Sequence, residues 1–253
     1  MKERFLLGFR QETGDKDGMI SRCLRVVILL GTAGLATLAV RPYHDGVLHY
    51  GLPLSAFFVW VAALWLLWRR AGVRMLLLAV PMLLTLPFFL PGRPLDPELL
   101  KGRYLKALQR LQGTAYLWGG ESRRGIDCSG LPRRALRDAL LETGLKTGNG
   151  NAFREWAEQW WFDTSARALG ENYRGFTRPL GLVGKLRDLD TSDLSAGDLA
   201  VTSDGRHVLV YLGDGRWIQA DPASAKVFTG DPQKVENAYY HAHVKMHRWM
   251  LLE

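Results

Sequence analysis

Three apolar runs in the first 94 residues constrain this chain more than any other feature. Val26–Val40, Leu52–Trp68 and Met75–Leu90 contain no charged residue. At about 15–17 residues each, they sit at the short end of what crosses a hydrocarbon core. Cys23, Leu24, Tyr50 and Val73 lengthen them, and Arg25 and Arg74 can snorkel toward the interface. The pattern predicts transmembrane helices near 24–41, 50–68 and 73–91. Three runs with almost no polar face do not suit a water-soluble core. Pro81 and Pro87 in the third run fit, because membrane helices tolerate proline better than soluble ones.

Charge then orients the runs. Residues 1–94 carry 11 Lys/Arg against 5 Asp/Glu, whereas residues 95–253 carry 22 against 20. Most of the excess behind the net +8 therefore flanks apolar runs instead of forming a phosphate-tracking surface, and no nucleic-acid partner is expected. Lys2, Arg4, Arg10, Lys16, Arg22 and Arg25 predict a cytoplasmic N-terminal segment; the loop Arg41–Tyr50 is expected outside, and Arg69, Arg70 and Arg74 inside. A third crossing delivers residues 95–253 to the extracytoplasmic side of a cytoplasmic (inner) membrane, with the lipid bilayer as partner. Thr37-Leu38-Ala39 would serve as a signal-cleavage site, but loss of the first run leaves that outcome unchanged. Pro91-Gly92-Arg93-Pro94 is a breaker, so the expected division is a membrane region 1–94 and a domain 95–253.

The cysteines are only two, Cys23 and Cys128, predicted on opposite sides of the membrane and so unable to pair. His241, His243 and His247 cluster without the Cys or carboxylate neighbours of a usual ligand pattern, so neither a metal nor another cofactor is expected.

Within residues 95–253, Leu99–Leu111 has helical spacing and Gly113 follows it. After Cys128, Leu131, Ala135, Leu136, Ala139 and Leu140 form one apolar face. Arg133, Arg134, Arg137 and Asp138 form the other, the Arg133-Arg134 pair being read as solvated, and Gly144 is expected to close the helix. Pro132 is accommodated in the first turn. Cys128 therefore stands at a helix N-terminus, where the helix dipole and first-turn N–H groups are expected to lower its pKa and receive an oxyanion. Leu199–Thr202, His207–Leu212 and Arg216–Ala220 read as strands, the last two joined at Gly213-Asp214-Gly215. A three-residue loop would set Leu209 opposite Gln219, making His207 and Gln219 diagonal neighbours with Asp221 opposite His207. A two-residue loop would flip Gln219 to the other face.

Tyr116-Leu117-Trp118-Gly119-Gly120, Gly125–Leu131 and His207–Ala220 resemble, in order, the signature blocks of NlpC/P60 cysteine peptidases; Gly197-Asp198-Leu199 resembles the stretch before the family's histidine strand. The resemblance implies a papain-like α+β fold, an antiparallel sheet packed against the nucleophile helix. It also implies hydrolysis of amide bonds in the peptide stems of bacterial peptidoglycan, typically between D-γ-glutamyl and a diamino acid. By position, Cys128 is the nucleophile, His207 its base and Gln219 the residue orienting the imidazole, with Asp221 a competitor for that place. Tyr116, Asp127 and Ser129 correspond to substrate-contacting positions. The stretch Thr143–Thr191 exceeds the family's compact core, and Trp156, Trp160 and Trp161 in it read as core more readily than as a lid. Two other readings stay open: a thiol amidase or acyltransferase on a different substrate, and a catalytically silent, membrane-tethered binding module.

Overall fold

The computed structural model describes the backbone of residues 2–162 and 164–253, with their side chains from residue 18 onward. The side chains of Lys2, Arg4, Arg10 and Lys16, used above for orientation, lie outside that set. The chain divides into two compact units. Met1–Arg41 and Gly46–Leu86 form the first; Pro42–Asp45 and Pro87–Glu253 form the second. This division differs from a boundary at residue 94, because Pro42–Asp45 and Pro87–Pro94 pack with the later residues.

The first unit is built from α1 (Lys2–Val40), α2 (Gly46–Leu67) and α3 (Ala71–Phe89). Their apolar stretches, of 23, 22 and 19 residues, are long and apolar enough to cross a membrane. Gly31 lets α1 approach α2 closely, since a Cβ there would fall 2.3 Å from Val59 Cγ2, the kind of small-residue contact membrane helices use. The Trp60 indole N–H donates to the Leu77 carbonyl at 2.8 Å, linking α2 to α3. Leu29, Leu30, Phe57, Trp65, Leu83 and Leu84 are exposed, more contiguous apolar surface than a water-soluble protein carries.

The second unit is α+β. Its elements run α4 (Pro97–Arg110), β1 (Glu121–Ser122), β2 (Gly125–Ile126), α5 (Gly130–Thr147), α6 (Gly150–Trp161), α7 (Ala166–Gly170), β3 (Thr177–Lys185), β4 (Leu199–Thr202), β5 (Val208–Gly213), β6 (Arg216–Asp221), β7 (Lys226–Gly230) and β8 (His243–Trp249). Asp96 starts α4 by accepting from the N–H groups of Glu98 and Leu99, as an N-cap aspartate does. Six strands form an antiparallel sheet in the order β3-β8-β4-β5-β6-β7. On one face, Leu199, Val201, Val208, Val210 and Ile218 pack with Leu100, Leu108, Leu131, Leu136 and Leu140 of α4 and α5. On the other, Ala200, Leu209, Tyr211, Trp217 and Met246 pack with Leu186 and Tyr240. The segment that carries Cys128 is thus fixed between a helix pair and a sheet.

Three expectations about the helices change. Gly144 does not end α5; Gly148, in the left-handed conformation, does, as C′ glycines commonly do. Gly144 instead leaves room for Phe153 of α6, whose ring atoms would lie 2.8 Å from a Cβ. Arg133 and Arg137 are not solvated: both are buried and paired with Glu121. Only Arg134 and Asp138 form the expected partly exposed pair. Of the tryptophans on α6, Trp156 packs against the core and Trp161 is exposed. Strands β3, β7 and β8, unassigned from the sequence, complete the sheet.

Candidate active site

The β5–β6 hairpin positions the imidazole and its amide partner. Asp214 and Gly215 both have positive φ, 52° and 70°, giving a two-residue type I′ turn with Gly213 opposite Arg216. That turn alone would have flipped Gln219. The register shifts between Tyr211 and Gly213, so that Val210 faces Ile218. The extra residue, Leu212, restores the parity expected of a three-residue loop. His207 Nε2 lies 2.7 Å from Gln219 Oε1, both residues buried. With the amide oxygen accepting, the proton sits on Nε2 and Nδ1 keeps its lone pair.

Asp221 does not take that place. Continuing the register sets it opposite His207, but its carboxylate accepts from Ala223 N–H, Ser224 N–H and the Asn237 amide. Its work is to hold the β6–β7 turn. Sequence reasoning missed Tyr239, whose ring stacks on His207 with centroids 3.5 Å apart and planes 9° apart. No local pattern could have found it, because it arrives from a short turn before β8.

Cys128 sits two residues ahead of Gly130, the first residue of α5. Its thiol donates to the carbonyl of Arg206 at 3.5 Å, and the Val208 N–H also faces the sulfur. The sulfur therefore lies against the backbone on both sides of His207. Burial pushes the Cys128 thiol up to about 12, with the Asp127 charge adding to the effect and the N–H groups of Val208, Ser129 and Cys128 opposing it. Burial also pushes His207 down to about 4, against the Gln219 hydrogen bond and the charges of Asp221 and Asp204. Burial thus favours the neutral form of both groups.

Burial thus works against the acidification expected from the helix start. The leading N–H of α5, Gly130, is taken by Asp127 Oδ1 at 2.6 Å. Asp127 also accepts from Ser129 Oγ and, through Oδ2, from Gly119 N–H. Burial raises the Asp127 carboxyl, and these donors oppose it. Asp127 thus ties the Gly119 loop to the start of α5, while it and Ser129 line a cleft of about 450 Å³ with Cys128, Trp118 and Arg206. Tyr116 is half-buried; burial and the nearby Cys128 and Asp127 charges raise its hydroxyl well above the usual tyrosine range, so it remains a proton donor.

One end of the cleft carries a buried ionic cluster. Glu121 lies 3.2 Å from Arg133 Nη2, 3.0 Å from Arg137 Nη2 and 3.3 Å from His44 Nδ1. Burial alone would raise Glu121; Arg133 and Arg137, with His44, outweigh it and hold the carboxyl below its ordinary value. Burial pushes His44 below its ordinary value, opposed chiefly by Glu121. Among the histidines weighed as ligands, His241 bonds Glu236, His243 is exposed and His247 is buried in β8.

A search of the curated proteins found no match. Among solved structures, the chain is similar to the NlpC/p60 domain of the peptidoglycan hydrolase SagA at 21% identity, covering 59% of this chain and 98% of that one, with a TM-score of 0.36. It is similar to the peptidoglycan hydrolase RipB of Mycobacterium tuberculosis at 21%, covering 59% and 65%, with a TM-score of 0.37. NlpC1 of Trichomonas vaginalis matches at 18%, covering 59% and 44%, with a TM-score of 0.39. This chain thus spans nearly all of the SagA domain but under half of NlpC1. These likenesses are weak; the assignment rests on the profile of the NlpC/P60 family, which matches residues 113–248. That is more than half of the sequence, and the chain belongs to the NlpC/P60 family.

Proposed function

We propose that this chain is a membrane-anchored cysteine endopeptidase that hydrolyses amide bonds in the peptide stems of peptidoglycan. The three apolar helices would hold it in the cytoplasmic membrane with the second unit outside. The observation that carries the reading is the placement of the Cys128 sulfur against the Arg206 carbonyl, next in the chain to His207, whose imidazole is held through Nε2 by a buried Gln219.

In this reading His207 Nδ1 takes the thiol proton as the sulfur attacks the carbonyl carbon of the scissile amide. The resulting oxyanion is met by the Cys128 N–H and the Tyr116 hydroxyl, which burial keeps protonated. Imidazolium then gives its proton to the leaving amine, and a thioester remains. Water, deprotonated by His207, attacks the thioester carbonyl, and the departing sulfur regains the proton. Gln219 fixes the ring throughout; being neutral, it stabilises imidazolium less than a carboxylate would. Because both reacting groups rest uncharged, proton transfer is coupled to attack. Asp127 and Ser129 would contact the stem, and the bond between D-γ-glutamyl and a diamino acid is the proposed site of cleavage.

Digestion of defined wall peptides by the detergent-solubilised full chain, followed by product mass analysis, tests this. Cys128→Ala is expected to abolish cleavage. Gln219→Ala is expected to lower kcat about 10–100-fold, the cost of leaving a buried ring N–H without an acceptor. Stem cleavage undiminished in Cys128→Ala would remove the mechanism.

A further inference from the structure

Residues Pro42–Asp45 connect α1 to α2 in sequence, yet they belong to the unit that holds the cleft. They make one antiparallel bridge next to β1. The Glu121 N–H donates to the Pro42 carbonyl at 3.0 Å, the His44 N–H donates to the Gly119 carbonyl at 2.9 Å, and Tyr43 faces Gly120. The His44 side chain is 5% exposed. Its Nδ1 faces Glu121, its Nε2 lies 3.1 Å from the Trp160 carbonyl, and its ring meets the Trp160 ring edge-on.

The wall that this segment holds is the wall tied to the nucleophile. The Gly119 N–H donates to Asp127 Oδ2 at 2.9 Å, and the Asp127 N–H donates to the Gly120 carbonyl at 2.9 Å. A continuous path of hydrogen bonds therefore runs from His44 and Pro42 through Gly119–Glu121 to Asp127, the residue before Cys128. His44, Trp118 and Gly119 line the same cleft as Cys128. A buried carboxylate with two guanidiniums and an imidazole is costly to assemble and gives no assured stability over apolar packing. Its attested value elsewhere is to fix one arrangement of its elements, and here it fixes this wall.

We propose that Pro42–Asp45 is a working part of the substrate cleft, and that His44 is its positioning residue, holding the Trp118–Glu121 wall where a peptide stem must lie to reach Cys128. This rests on the hydrolase reading for its substrate, but not for its structural content. His44 acts through the wall and takes no part in the chemistry, so its loss should weaken binding of the stem more than turnover.

The test uses the full chain in detergent with a soluble wall peptide, comparing wild type, His44→Ala and His44→Gln. The expected result is a KM raised about ten-fold in His44→Ala, the equivalent of one lost buried hydrogen bond to a charged partner, with kcat changed by less. His44→Gln, whose amide N–H groups can still reach Glu121 or the Trp160 carbonyl, should recover most of the KM. Hydrogen exchange followed by mass spectrometry should show the 117–122 backbone losing protection in His44→Ala while β4–β6 keep theirs. Wild-type KM and unchanged 117–122 exchange in His44→Ala would overturn the proposal. So would a parallel fall of kcat, melting temperature and protection across the sheet that His44→Gln fails to repair, because that is the mark of a merely structural residue. Should the wild type cleave no wall peptide, the hydrolase reading fails, and the exchange comparison still decides whether the segment holds the wall.

Discussion

At the scale of single residues, burial works against charge on both Cys128 and His207. His207 sits near 4 in the folded protein against an ordinary 6.5. Between those values an unfolded chain binds a proton that the native site refuses, so stability falls as pH drops from 6.5 toward 4 and levels off below. At about 1.4 kcal/mol per unit, His207 contributes roughly 3 kcal/mol of that loss. Thermal unfolding of the full chain across pH 4–7 is expected to show this slope, and His207→Gln should flatten it. A variant with the wild-type slope would show that another group refuses the proton. Cys128 and His207 were legible in the sequence because each lies in a short block whose neighbours reveal its setting: a helix start for one, an alternating strand before an Asp-Gly turn for the other. Tyr239 was not legible, since only tertiary packing brings its ring onto the imidazole.

At the scale of elements, close approach of backbone matters more than helix propensity. Gly130 opens α5, and a Cβ there would lie 2.4 Å from the Gly120 carbonyl oxygen and 3.0 Å from Asp127 Oδ1. Alanine is the better helix former by at most about 1 kcal/mol, whereas forcing an atom into packed structure costs about 1–3 kcal/mol. Here the atom struck is a carbonyl that accepts the Asp127 N–H, so the steric cost wins. Gly130→Ala is expected to lower the melting temperature and cut turnover together; a raised melting temperature would contradict the argument. The same contrast explains what periodicity misjudged in α5. Spacing placed the apolar face correctly, but Arg133 read as solvated because its partner, Glu121, lies outside the helix. Gly144 read as a terminator because Phe153 belongs to the next helix. Hairpin parity came out right by an unforeseen route, a tight turn compensated by a bulge at Leu212.

At the scale of the whole molecule, the apolar runs and the basic residues beside them made three long helices legible, and the signature blocks made the α+β unit legible. The membership of Pro42–Asp45 was hidden, because four residues carry no periodicity and their partners lie more than 70 positions later. A chain of residues 87–253 alone should therefore melt lower and cleave less well than one that keeps residues 42–45, joined to residue 87 by a flexible Gly/Ser linker in place of 46–86. Equal melting and cleavage by the two would show that the early segment is dispensable. The discontinuity makes the second unit the host and the hairpin of α2 and α3 its guest. Protein engineers seeking a detergent-free chain should begin it at Pro42, excise that guest and splice the flanks, since trimming past residue 45 discards a piece of the host.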